Sequence, residues 1–504
     1  MVARLVTFMS CVLALNVLQS VEAFSQVHRI YTAPAVTSEV KFIKSLRKSF
    51  TVAAGTTESL PASVDHSKTI YFPSVIDQEG NSCAQAAGIG YMFTYEMNRL
   101  LGRDASASAA NRFSYEFSWN MLNNGIDQGS YVEDGLYLAQ CYGMMTEQDY
   151  GSYPLSMFHW TTGYDHYLNA LSYRTSQIVT MADSVPLIKR YLYDYGTGTQ
   201  PGGVLNFTMR NGGWVFNNSY TGPSSTGYHC MLTKLGTYGL HVLTIVGYDD
   251  NVIYTDGSGY KHYGAFIVLN TWGPAAHDNG RFYIPYDFFR IPSMKSSLSD
   301  NLVGVGVTNF TPKIVFKIDL NYSSRKDLSF SLGGSDDAAA TRPAQFYSSS
   351  ASFFSNNGGS YPMQGNGQDG SFEFALDFSN YPLANGADYR RFFLNVVRST
   401  INATGSGTVD DVEVIDYRTT TPRVYKSTLT ASSSIQNGEN IFIIPVGPRF
   451  TVSASPCKFA VATRAGSNNV FLVRTANARH AKMRLAYYNQ VTGELSLNYS
   501  MLNN

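Results

Sequence analysis

Apolar residues fall at three- and four-residue spacing through Ala86, Ala87, Ile89, Gly90, Phe93, Met97, Leu100 and Leu101, with Gly102 placed to stop the run. This spacing predicts a buried helix that starts near Cys83. Helical patterning continues over 112–124, 131–143 and 184–192, so the chain from about Cys83 to Asp194 reads as mostly helical. From about Val204 to Ile291 the pattern changes to short apolar runs of strand type, such as 265–269 and 281–284, and 251–263 reads as a polar hairpin. Beyond about Phe310 the chain is rich in Ser, Gly, Asn and Thr, with alternating runs at 314–318, 372–376 and 392–397. Turn clusters at 356–359 and 405–407 separate these runs, which predicts one or two antiparallel β-sandwiches.

The N-terminus has its own pattern. Arg4 precedes an apolar stretch from Leu5 to Leu18, and Val21-Glu22-Ala23 offers a small-residue cleavage site, so a secretory signal is expected over 1–23. The stretch is too short and wrongly flanked for a membrane span, and no other segment is apolar enough. Residues 24–59 read as a short propeptide or linker. Cleavage near Ala23 removes Cys11 and leaves Cys83, Cys141, Cys230 and Cys457, of which the last three allow at most one bridge. Asn206, Asn217, Asn309, Asn321, Asn402 and Asn498 head glycosylation sequons, relevant in a eukaryotic source.

Composition narrows the partners. With 504 residues there is length for two or three domains; the net charge of +0 and the 15% of charged residues point away from a nucleic-acid groove. The 14% of aromatic residues, led by 35 tyrosines, suits extended β-structure. His229 beside Cys230 lacks a second pair with ligand spacing, so no metal is expected. The run 409–413 is an acidic strand edge, a solvated face or, as the alternative, a calcium edge.

Three words far apart carry one chemistry: Gln78-Glu79-Gly80-Asn81-Ser82-Cys83, His241 within Gly239-Leu240-His241-Val242-Leu243, and Asn270 within Val268-Leu269-Asn270-Thr271-Trp272-Gly273. They supply an oxyanion donor, a thiol, a base and a side chain to orient that base. A helix starting near Cys83 places the sulfur at a helix N-terminus, where unpaired N–H groups favour thiolate, and a neighbouring imidazolium from His241 adds to this. The amide oxygen of Asn270 would hold the other ring nitrogen.

Together with Leu60-Pro61-Ala62-Ser63-Val64-Asp65, Ile245-Val246-Gly247-Tyr248-Asp249 and Asn279-Gly280-Arg281-Phe282-Tyr283-Ile284, in that order, these words resemble the papain-like cysteine peptidases, in a divergent bacterial-type form. The resemblance runs from about Leu60 to about Ile291. It departs from the family at Gly80, Asn81, Ser82 and Ala84, and Gln78 stands one residue nearer the nucleophile than usual. The resemblance implies an α+β fold, a two-lobed peptidase domain over 60–309 with a helical lobe and a β-barrel-like lobe. A β-sandwich-like accessory region over 310–504 follows. It implies Cys83, His241, Asn270 and Gln78 as catalytic residues, Trp272 as a shield over the His–Asn bond, and Gly129, Leu240 and Val242 as substrate-binding residues.

The expected function is that of a secreted or extracellular cysteine endopeptidase acting on protein or peptide substrates without metal or organic cofactor, its C-terminal region binding a surface, glycan or protein. Two alternatives stand beside it: a catalytically inactive binding or adhesion protein, and an exopeptidase or transpeptidase using the same triad.

Overall fold

The computed structural model describes residues 47–53, 59–152, 157–290 and 301–447 apart from 366, 368, 382, 384 and 385, and beyond them the strands 470–474, 480–488 and 495–501 as backbone. The chain forms two compact units, the first ending at Gly447 and the second running from Pro448 to Asn504. The signal sequence, most of the segment 24–59, Cys11, Cys457 and Asn498 lie outside the residues described at side-chain level.

Helix α1 runs continuously through Cys83–Gln85, Ala86–Phe93 and Thr94–Leu101. It ends at Gly102, whose φ of 64° is the left-handed conformation that glycine adopts without a Cβ penalty. Its middle stretch, Ala86–Phe93, is wound in the wider π form and fully buried, a winding the apolar spacing did not signal. Helices α2 (Tyr115–Leu122), α3 (Val132–Tyr142), α4 (Tyr164–Ala170) and α5 (Val185–Asp194) follow. Ser114 caps α2 by accepting the Phe117 N–H, and Asp134 closes the start of α3 by accepting the Tyr131 N–H at 3.0 Å.

Ten strands share one sheet: β1 (Arg47–Ser49), β2 (Ser63–Asp65), β3 (Tyr173–Ala182), β4 (Leu205–Met209), β5 (Val215–Asn217), β6 (Met231–Lys234), β7 (His241–Thr255), β8 (Lys261–Leu269), β9 (Arg281–Pro285) and β10 (Asn301–Asn309). Their order is β1-β3-β10-β4-β7-β8-β9-β6-β5, with β2 alongside β7. Strand β3 is an addition to the mostly helical region before Asp194, where the sequence reading placed no strand. Its Thr175, Ile178, Val179 and Thr180 are β-branched, and the distant β10 supplies an antiparallel partner along its whole length. The β7–β8 hairpin pairs Thr244 with Leu269, so His241 and Asn270 emerge at the same end of neighbouring strands.

Strands β11 (Ile314–Tyr322), β12 (Leu328–Ser335), β13 (Phe346–Tyr347), β14 (Ser371–Asp377), β15 (Arg391–Arg398), β16 (Gly407–Asp416), β17 (Arg423–Lys426), β18 (Ser433–Ser434) and β19 (Gly438–Pro445) form two further sheets. One is ordered β14-β11-β16-β17 with β18 on β16, the other β13-β12-β15-β19. The sheets meet through ring contacts such as Phe316 with Phe392 at 5.9 Å and Phe330 with Phe374 at 5.6 Å. Their core continues into the helices: Phe354 meets Tyr142, Trp160 and Tyr167 at 5.2, 5.7 and 5.8 Å. A buried ion pair joins Arg174 of β3 to Asp377 of β14 at 2.9 Å. In the second unit β20 (Val470–Arg474), β21 (His480–Tyr488) and β22 (Leu495–Met501) make an antiparallel sheet.

Asn206 is fully buried, its amide nitrogen donating to Thr244 Oγ1 at 2.8 Å, so this sequon is closed to glycosylation in the folded chain, whereas Asn217, Asn309, Asn321 and Asn402 are exposed. Cys83 and Cys230 are free thiols. Among the described residues no three His, Cys, Asp or Glu side chains are grouped to hold a metal ion, and no helix is long and apolar enough to cross a membrane.

Candidate functional site

The loop before Cys83 is shaped by its small residues. Gly80 has a φ of 47°, and a Cβ there would stand 2.5 Å from Asp127 Oδ1 and 2.9 Å from Trp119 Cη2. Glycine therefore lets the loop lie flat against residues 125–129. Asp127 then accepts the Asn81 N–H at 2.7 Å, Asn81 Nδ2 donates to the Asp127 carbonyl at 3.2 Å, and Trp119 Nε1 donates to the Gln128 carbonyl at 3.0 Å. Gly129, half-buried, belongs to the segment so fastened. Ser82 Oγ donates to the Glu79 carbonyl at 2.5 Å, and α1 starts with Cys83.

The Cys83 sulfur is approached by the backbone N–H groups of Val242, Ala84 and Cys83 itself. That places Cys83 against the start of β7, next to His241. The Val242 side chain is buried in the core and Leu240 is 55% exposed, so the two predicted pocket residues take opposite roles: Val242 contributes its backbone N–H at the sulfur, and Leu240 lies on the surface.

His241 is buried, and its Nε2 bonds Asn270 Oδ1 at 2.7 Å. The Thr271 N–H also donates to that oxygen at 2.8 Å, which fixes the amide orientation and makes His241 Nε2 the donor. The ring nitrogen left to take a proton in the neutral form is Nδ1. Among the described residues Asn270 is the single hydrogen-bond partner of the His241 ring, and no hydrogen bond joins that ring to Cys83. Trp272 lies against the His241 ring at 4.7 Å and 32°, and Trp214 packs edge-on to Trp272 at 5.3 Å.

Burial pushes the Cys83 thiol up, against the pull of the three N–H groups. Burial likewise brings His241 down to about 4, its bond to Asn270 opposing this. Burial thus opposes charge on both groups, while the N–H groups at the sulfur favour the thiolate and the bond to Asn270 favours the imidazolium.

Gln78 is anchored at both ends. Its Oε1 accepts from Thr271 Oγ1 at 2.5 Å and its Nε2 donates to the Gly80 carbonyl at 2.8 Å, leaving one amide N–H without a partner. The Gln78 N–H donates to the Thr271 carbonyl at 2.8 Å and the Gly273 N–H to the Ile76 carbonyl at 2.9 Å, so the loop before Cys83 and the Asn270 loop are stitched together.

Three residues of this network carry no signal in the sequence words. Tyr91, buried on α1, accepts the Ile76 N–H at 2.7 Å and donates to the Asn270 carbonyl at 2.9 Å. Trp214 completes the aromatic wall. His277 accepts from Asn270 Nδ2 at 2.9 Å, and its Nδ1 stands 3.8 Å from Cys230 Sγ. His229 makes other contacts, its Nδ1 at 3.1 Å from the Tyr220 carbonyl.

No family model and no curated protein matches the sequence. Among solved structures, the chain is similar to xylellain, a cysteine protease from Xylella fastidiosa, at 19% identity with a TM-score of 0.36, covering 52% of this chain and 91% of that one. It is also similar to procathepsin B S9 from Trypanosoma congolense, at 14% identity and a TM-score of 0.36 over 50% of this chain and 80% of that one. Digestive procathepsin L 3 from the larval midgut of Tenebrio molitor shows 16% identity and a TM-score of 0.33, over 57% of this chain and 88% of that one.

Proposed function

We propose that the chain is a secreted cysteine endopeptidase in which Cys83, His241 and Asn270 form the catalytic triad and Gln78 donates to the oxyanion. The observation that carries this reading is the placement of Cys83, at the start of α1, against β7 where it carries His241, with that imidazole held in one tautomer by a buried amide. A thiol, an oriented base and a free amide donor are the parts that acyl transfer needs.

In the first step the thiol proton passes to His241 Nδ1 as Sγ bonds the peptide carbonyl carbon. The carbonyl electrons move to oxygen, which accepts from the unpartnered Gln78 N–H and from the Cys83 backbone N–H. Collapse of this intermediate breaks the C–N bond, and His241 Nδ1 returns its proton to the leaving amine. Water then adds to the thioester with its proton passing to Nδ1. The C–S bond breaks, and the carboxylic product leaves with the thiol restored.

Residues 60–309 are assigned to the peptidase domain and 310–504 to the accessory region. The change of sheet between β10, which ends at Asn309, and β11, which begins at Ile314, supports that boundary. Protein or peptide is the substrate class, and a role in anchoring or stabilising the enzyme is assigned to the C-terminal region.

The test is hydrolysis of a mixed library of fluorogenic peptides under reducing conditions, for the chain and for Cys83→Ala, with labelling by a thiol-reactive peptide inhibitor. Hydrolysis lost in the variant and label confined to Cys83 are expected. An unlabelled Cys83 with no hydrolysis would move the assignment to a binding protein, and cleavage restricted to free-ended peptides would make it an exopeptidase.

A further inference from the structure

Behind Asn270 the hydrogen-bond chain continues to a second histidine and a second thiol. Asn270 Nδ2 stands 2.9 Å from His277 Nε2, His277 Nδ1 stands 3.8 Å from Cys230 Sγ, and the Cys230 thiol donates to Asn218 Oδ1 at 3.1 Å. The direction of every link can be worked out. The Thr271 N–H at 2.8 Å makes Oδ1 the acceptor end of the Asn270 amide, so Nδ2 carries the hydrogens and His277 Nε2 must accept. His277 then carries its proton on Nδ1, aimed at the Cys230 sulfur.

We propose that His277 is a positioning residue for the reaction at Cys83: by accepting the Asn270 N–H it holds the Asn270 oxygen on His241 and so keeps His241 Nδ1 unprotonated and available as the base. The inference rests on the peptidase reading of Cys83, His241 and Asn270. Without an acceptor behind it, the fully buried Asn270 amide would leave a donor unpaired, and rotation to relieve this would present N–H groups to both the Thr271 N–H and His241 Nε2. That rotation turns His241 to the other tautomer, in which Nδ1 carries a proton and cannot take one from the thiol. Burial, and then the neighbouring His241, bring His277 down to about 4, so the ring stays neutral and keeps its acceptor.

The shape of the site supports a task beyond filling space. His277 sits at a φ of 56°, a left-handed conformation that histidine adopts more readily than aliphatic residues do, in the turn between Asn270 and β9. Its ring lies 4.3 Å from Phe216 and 4.8 Å from Phe282, surroundings that an apolar residue would fill as well. What an apolar residue cannot supply is the acceptor at Nε2.

The test uses the full chain, with two variants that share the backbone conformation at 277. His277→Leu removes the acceptor and is expected to lower kcat roughly ten- to a hundredfold with KM little changed, the size usual for a partner that orients a catalytic group. His277→Gln offers an amide oxygen in place of Nε2 and is expected to recover most of kcat. Equal kcat for both variants and the wild type, or equal losses in both, overturns the proposal.

A second readout needs no variant: nitrogen NMR of histidine-labelled protein, with His277 identified by its contacts to the Phe216 ring. The Nδ1–H tautomer is expected, and an Nε2–H tautomer overturns the proposal even if both variants fail to fold. Hydrolysis by the wild type that survives Cys83→Ala, or is absent, defeats the peptidase reading instead and is distinguishable, because the tautomer of His277 is read independently.

Discussion

Gln78 shows how much one side chain can be asked to do when its neighbours fix it. Thr271 Oγ1 holds one end of its amide and the Gly80 carbonyl the other, so its remaining N–H points in one direction before any substrate arrives. Donors arranged in advance stabilise developing charge without reorganising, and loss of one such donor typically lowers kcat by roughly a hundred- to a thousandfold. Gln78→Ala should therefore lower kcat in that range with KM changed far less. Thr271→Val, which frees Oε1 but leaves the donor in place, should cause a smaller loss in the same direction; steady-state kinetics on one fluorogenic peptide checks both. Cys83, His241, Asn270 and Gln78 were legible because each stands in a short word whose residue types only make sense together. His277 and Trp214 were not. Their partners lie on separate strands and turns, and no spacing along the chain encodes a ring that accepts from the Asn270 amide.

At the scale of elements, the site depends on α1 being tied to the loops on both sides. The Tyr91 hydroxyl, fully buried, accepts the Ile76 N–H and donates to the Asn270 carbonyl, joining helix, the loop before Cys83 and β8 exit at one oxygen. Tyr91→Phe keeps the ring and orphans a half-buried N–H and a buried C=O, which should cost about 1–3 kcal/mol. Urea unfolding measures that loss, and a fall in kcat is expected with it, because Asn270 loses its backbone tether. Gly80→Ala tests the opposite side of α1: the added methyl meets Asp127 and Trp119, so the Asn81–Asp127 link must break or the loop must shift. The helix itself and its stop at Gly102 could be read from apolar spacing. Its π winding could not, since Ala86–Phe93 is apolar all round and gives no preferred face. Strand β3 was hidden for another reason, because its partner β10 begins more than a hundred residues later.

At the scale of the whole molecule, short alternating runs revealed the C-terminal strands, but not that Phe354, Phe372 and Phe374 join the helices in a continuous core. The burial that produces that core also sets the response to pH. His66, His159, His241 and His277 are each brought down to about 4, burial being the first cause in every case. Between the ordinary histidine value of about 6.5 and 4, the unfolded chain binds protons that the folded chain refuses. Their contribution is therefore present above pH 6.5 and is lost as the pH falls. Glu96 and Glu116 work in the other direction: burial raises each to about 7, so the folded chain holds protons there that the unfolded chain has released, and stability falls as pH rises from about 4.5 to 7. The histidines outnumber the glutamates over the shared window, so the urea midpoint should fall on going from pH 7 to pH 5. Glu96→Gln separates the two contributions. Glu96 is 1% exposed and pairs with Arg99 at 3.3 Å, so after the lost pairing is allowed for, the neutral amide should raise stability by about 2 kcal/mol at pH 7 and by almost nothing at pH 4.5. The drop in midpoint between pH 7 and pH 5 should then be steeper in the variant than in the wild type, and a shallower drop would mean that Glu96 is ionised in the folded chain throughout.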